Sequence, residues 1–170
     1  MHRSSEAATA NEPPLGVLYR DEHIVVIDKP PNLRVHRSEI DRHETRFAIP
    51  ILRDQIGQRV WPAHRLDRGT SGVLLFGLSA EIASQLGKQF EAGTVGKCYW
   101  AVVRGHPPES GSIDHALTRQ RDDYEFRGDD SSWEAQPAVT HYRRLATVEL
   151  PVEIDRYPSS RYALVELEPV

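Results

Sequence analysis

Cysteine is nearly missing from this chain. Cys98 is the only one in 170 residues, so no internal disulfide can form and the cysteine framework of a small secreted domain is excluded. A reducing, cytoplasmic setting is the expectation. Long apolar runs are missing too: stretches such as Ile24 to Ile27 and Val73 to Phe76 are far shorter than the roughly 20 residues of a membrane-spanning helix. Residues 1–15 are polar and small, without the apolar stretch of a signal peptide. No membrane role is expected, and residues 1–14 read as a disordered lead-in to one domain over 15–170. His36, His43 and His64 lack ligand-like spacing and a partner set of cysteines and carboxylates, so no metal is expected.

What is present is ordinary globular material, with 39% hydrophobic and 27% charged residues. The net charge of -4 argues against a nucleic-acid binder until it is divided along the chain. Residues 29–68 carry nine Lys and Arg against five Asp and Glu, whereas residues 109–170 carry seven against thirteen. A local basic strip is what phosphate contact requires, and it lies on one segment.

That segment holds His64-Arg65-Leu66-Asp67-Arg68-Gly69-Thr70-Ser71-Gly72, followed by Val73-Leu74-Leu75-Phe76. The glycines and hydroxyls describe a loop, with Gly69 and Gly72 free to take φ > 0 or to approach a ligand closely, and the apolar run describes a buried core strand. Arg65 and Arg68 favour the ionised form of Asp67, which suits it to act as a nucleophile or a general base. On composition alone, a surface cluster of Asp and Arg is the commoner explanation.

Around this loop the elements alternate. Val17 to Tyr19 and His23 to Asp28 read as strands joined by a turn at Arg20-Asp21-Glu22. Lys29-Pro30-Pro31-Asn32 forbids helix and must be extended, with Asn32 able to take the left-handed conformation. Arg37 to Arg46 reads as a polar loop able to touch substrate. Phe47 to Ile56 predicts a helix starting near Pro50, and Ser79 caps a second helix with Ile82, Leu86 and Phe90 on one stripe and Gly93 at its end. Lys97 to Arg104, Ala138 to Leu150 and Arg161 to Glu168 are strand-like, the last with Ala163, Val165 and Leu167 on one face. Glu109 to Trp133 is acidic and turn-rich, and reads as an excursion.

The nine residues from His64 to Gly72 resemble the catalytic motif H-R-L-D-x-x-T-S-G of the RluA-type pseudouridine synthases. The resemblance extends over Lys29-Pro30, Val35-His36, Lys97-Cys98-Tyr99, Gln136 to Arg143 and Arg161 to Pro169, and within the family it is greatest to the branch that modifies a uridine in the T stem of tRNA. It implies an α+β fold with a mixed, mainly antiparallel sheet and flanking helices. It also implies an isomerase that needs no cofactor and no metal, with RNA, specifically tRNA, as partner. By the same resemblance Asp67 is the essential carboxylate and Tyr99 packs on the target uracil. Arg65 holds the flipped state, Lys29, Arg37 and Arg68 meet backbone phosphates, and His64 belongs with these substrate-binding groups.

In the family the strand matching Arg161 to Pro169 leads into a Lys-Thr-Gly-Arg-x-His-Gln-Leu-Arg segment, whereas this sequence stops at Val170. The resemblance therefore implies a catalytic fold shortened at its C-terminus, and weak or absent activity for the 170 residues alone. Two other classes compete. A non-catalytic RNA-binding remnant keeps the basic strip without turnover, and a hydrolase pairs Asp67 with Glu39 or Asp41.

Overall fold

A computed structural model describes residues 13–36, 46–118, 134–154 and 157–170. Its contacts divide the chain into an N-terminal unit ending at Thr94 and a C-terminal unit from Val95 to Val170.

The N-terminal unit contains β1 (Gly16–Arg20), β2 (Ile24–Lys29), α1 (Ala48–Ile56), β3 (Trp61–Pro62), β4 (Gly72–Gly77) and α2 (Ala80–Glu91). Its strands pair antiparallel in the order β1-β2-β4-β3. Asp21 makes the first turn, its Oδ1 accepting from the amides of His23 and Ile24 at 2.8 Å each. The β2–β4 register places Val25 opposite Phe76, Ile27 opposite Leu74 and Lys29 opposite Gly72. Since residues opposite one another share a face, these six form one inward row. Val25, Ile27, Leu74 and Phe76 are fully buried and join Ala48 and Leu52 of α1 in the core. Each such aliphatic or aromatic side chain contributes about 1.5–3 kcal/mol of burial.

Burial of β4 is one-sided: Val73 is 62% exposed while Leu74 is sealed. The run Val73 to Phe76 is thus an alternating strand with one covered face, not the fully buried strand its composition suggests. The first helix begins at Ala48, with Pro50 in its first turn where a missing amide costs nothing. No side chain caps α1; the amides of Ala48 and Ile49 instead donate to the carbonyls of Arg34 and Val35. Ser79 caps α2 as expected, its hydroxyl accepting from the Ile82 amide at 3.2 Å, and Gly93 ends it at φ 67.

The C-terminal unit is a sheet of β5 (Tyr99–Arg104), β6 (Ser110–Asp114), β7 (Val139–Leu150) and β8 (Ser160–Pro169), antiparallel in the order β5-β8-β7-β6. The expected alternation of β8 is present, with Ala163 and Val165 buried on one face. The strand β6 corrects the reading of residues 109–133 as an excursion. Ser110-Gly111-Ser112-Ile113-Asp114 has almost no β-propensity, and its pairing with Val139 to Arg143 supplies the order that its side chains do not. Residues 119–133 and the proposed substrate loop at 37–45 lie outside the described residues. Among the described residues no helix is long and apolar enough to cross a membrane.

Two glycines separate close approach from free space. A Cβ at Gly77 would stand 2.6 Å from the Ala83 amide nitrogen, whereas at Gly87, inside α2, the nearest atom is the Ala63 carbonyl at 3.6 Å. Gly77→Ala is expected to lower stability by about 1–3 kcal/mol through overpacking. Gly87→Ala is expected to raise it by up to about 1 kcal/mol through helix propensity. Urea unfolding of the two variants checks the opposite signs.

Candidate active site

The motif loop runs from β3 back into β4, and its geometry follows from how both ends are tied. At the β3 end, the Ala63 amide donates to the Leu75 carbonyl at 3.0 Å. His64 Nε2 accepts from the Leu75 amide at 3.2 Å, and its ring stacks on Phe90 of α2 with centroids 4.4 Å apart. Burial holds the imidazole below its ordinary pKa, opposed by a hydrogen bond to the Arg65 backbone. The accepting Nε2 requires the neutral ring, so His64 fastens the loop to strand and helix.

From His64 onward the side chains alternate: Arg65 and Asp67 are exposed and Leu66 is half-buried against the core. Asp67 then opens a turn closed by the Thr70 amide donating to the Asp67 carbonyl at 3.1 Å. Of the two glycines expected to use φ > 0, Gly72 does so at φ 115, leading into β4, and Gly69 does not. The carboxylate sits at the Lys29–Gly72 end of the sheet on an exposed, tethered turn.

The tether comes from Lys29. Its side chain is completely buried, and Nζ donates to the carbonyls of Leu33 at 2.8 Å, Pro30 at 3.1 Å and Arg68 at 3.5 Å. Three protons meet three acceptors, so the ammonium is satisfied without an ion pair in contact. The Asn32 amide adds a 2.7 Å bond to the same Arg68 carbonyl, from a residue at φ 63. Desolvation pulls the Lys29 ammonium below its usual range, and the Asp67 carboxylate pushes it back up. The expectation that Lys29 meets backbone phosphate is therefore corrected: a sealed ammonium shared among three carbonyls cannot reach solvent. Proline spacing in the sequence marked the turn, but not that the preceding lysine points inward.

All of Lys29, His64, Arg65, Asp67 and Arg68 thus lie in the N-terminal unit, Lys29 and the Asp67–Arg68 turn at the Gly72 end of β4 and His64 against Leu75 further along it. Arg68 is exposed. Tyr99 belongs to the C-terminal unit, half-buried on β5 opposite Leu167. Arg37, Glu39 and Asp41 lie outside the described residues. Asn32 and Phe90, which hold the loop from two sides, read in the sequence as a turn residue and a helix-stripe residue and not as supports of the motif loop.

Asp67 is thus an exposed carboxylate on a turn pinned from behind, between Arg65 and Arg68 in sequence and followed by a core strand. The chain belongs to the RNA pseudouridylate synthase family, whose profile matches residues 23–170. It is 50% identical over 155 residues to a tRNA pseudouridine synthase C of Pectobacterium carotovorum subsp. carotovorum, covering 91% of this chain and 41% of that protein. It is 48% identical to a tRNA pseudouridine synthase C of Yersinia pestis, covering 91% and 60%. Among solved structures it is similar to the human RNA Pseudouridylate Synthase Domain Containing 4, at 30% identity and a TM-score of 0.64, over 91% of this chain and 58% of that one. The chain thus spans about half the length of these relatives.

Two outcomes follow from the tether. Replacing Lys29 with Met strips the Pro30 and Leu33 carbonyls of their donor, at roughly 1–3 kcal/mol for each buried group left unmade. A melting temperature of Lys29→Met equal to that of the parent would contradict the tether. For His64, a folded pKa below the unfolded value means that the unfolded chain binds protons first as pH falls. Stability is therefore full above about pH 6.5 and declines as pH drops from there toward the folded pKa. Denaturant unfolding between pH 7.5 and 5 should show this decline, and His64→Asn should flatten it.

Proposed function

We propose that this chain carries the catalytic carboxylate of a cytoplasmic RNA pseudouridine synthase acting on a uridine in tRNA, with Asp67 as the essential group. The observation that carries the reading is the exposed Asp67 on a turn locked by Lys29 and Asn32, within a complete H-R-L-D-x-x-T-S-G motif. The tRNA substrate is supported by the names of the two bacterial relatives.

The reaction is an isomerisation. The bond between uracil nitrogen and the ribose anomeric carbon breaks, the base turns, and the ring carbon that carried a hydrogen takes the sugar, that hydrogen leaving as a proton while the nitrogen gains one. An ionised Asp67 serves either as nucleophile at the sugar or as the base that takes a sugar proton; both need the carboxylate charged and solvent-facing. A uridine inside a stem must first be everted, at a cost of a few kcal/mol. Arg65, exposed two residues before Asp67, is the side chain to hold the vacated stack, Arg68 and Arg37 meet phosphate, and Tyr99 offers its ring to the everted base. No cofactor or metal enters the scheme.

The test is release of tritium from tRNA bearing 5-tritiated uridine. Asp67→Asn is expected to abolish release, a loss on the order of a thousandfold or more for removal of a covalent or proton-transferring group. The enzyme assayed is a fusion of residues 1–170 to the C-terminal remainder of a longer relative, since the chain spans about half the length of those relatives. An Asp67→Asn fusion that still turns over would overthrow the assignment.

A further inference from the structure

We propose that Tyr142 is a second base-stacking residue, taking a nucleobase that flanks the target uridine while Tyr99 takes the target. The inference rests on the reading that this chain acts on RNA. Its basis is the register of the C-terminal sheet. Tyr99 lies opposite Leu167, Leu167 opposite Tyr142, and Tyr142 opposite Gly111. Residues opposite one another share a face, so one row across β5, β8, β7 and β6 reads Tyr99, Leu167, Tyr142, Gly111. With neighbouring strands about 4.8 Å apart, the two tyrosine backbones stand about 10 Å apart with only Leu167 between.

Three features of this face suit unstacked bases. It is closed at Ala163 and Val165, both buried, and it opens at the Leu167 row, where Tyr99, Leu167 and Tyr142 are all half-exposed. Gly111 gives the Tyr142 ring its room: a Cβ there would come within 2.8 Å of ring atoms Cε1 and Oη, so the phenol leans across the edge strand. The acids nearest in sequence belong to the opposite face, where Glu166 accepts from Arg143 at 2.7 Å and from the Trp100 indole at 3.3 Å. The tyrosine face carries Arg144 in the next row, opposite Val165, with its guanidinium held by the Pro107 carbonyl at 2.6 Å and 4.0 Å from Glu109. A four-stranded antiparallel sheet presenting two aromatic rings on one face is an established way to receive two or three splayed bases.

The probe is hexauridylate carrying one internal 2-aminopurine, whose fluorescence is quenched on stacking, titrated with the 170-residue chain. Tyr142→Leu is expected to weaken binding about tenfold, as loss of one stacked base does, and to relieve part of the quench. Tyr142→Phe should retain both, which a role as a hydroxyl donor would not. Because Tyr142 also covers Gly111, Gly111→Ala is the companion variant: it keeps the phenol but displaces it, and should weaken binding as well with the fold intact by circular dichroism. Unchanged affinity and quench in Tyr142→Leu, beside a clear loss in Tyr99→Leu, would overturn this inference and leave the RNA reading standing. No binding by the unaltered chain would remove both.

Discussion

A buried ammonium with three carbonyls around it fixes where the candidate carboxylate can stand. The inward row of β2 continues Val25, Ile27 and then Lys29, all without solvent exposure. A charged group can end such a row only if acceptors come to meet it. The Pro30–Leu33 segment supplies two of them, and the third is the carbonyl one residue past Asp67. The two chain segments that carry the family's most specific residues are thereby closed on each other from the interior side. The side chain of Asp67 is left on the outside of that closure, which is what a reacting group needs: a backbone that cannot wander beneath a carboxylate that water and substrate can reach.

Much of this was legible in the residues. The Asp21 turn, the Ser79 cap, the Gly93 stop and the left-handed Asn32 follow from local chemistry that no tertiary contact overrides. The alternation of β8 is likewise written in its own sequence. Other features depend on neighbours. Ser110 to Asp114 is a strand because β7 offers it a ladder, and Trp61–Pro62 pairs with β4 over only two residues, too short for any pattern to mark. The exposure of Val73 is not legible, because four apolar residues in a row cannot distinguish two covered faces from one. For Lys29 two signals conflict: lysine is almost never fully buried, yet the period of two running through Val25 and Ile27 points it inward, and the period prevails.

The electrostatics agree with the division of labour along the chain. The basic excess of residues 29–68 leads into the motif in sequence, while the acid excess lies in residues 1–28 and beyond residue 108. Glu166 and its ion pair with Arg143 occupy one face and the two tyrosines the other. A net negative charge does not cancel a local basic strip, because exposed charges are screened from one another beyond about 10 Å.

The outer strand of the N-terminal sheet bears on how such a protein stays dispersed. Val17, Leu18 and Tyr19 are all largely solvent-facing on β1, which lies at the rim of its sheet, and an apolar rim of that kind invites another chain to extend the ladder. The pairing with β2 is broken between Val17 and Tyr19, where Leu18 is the extra residue. That irregularity twists the rim and puts its free amides out of step with any incoming strand. One supernumerary leucine is thus a built-in obstacle to ladder extension along this rim, far from Asp67.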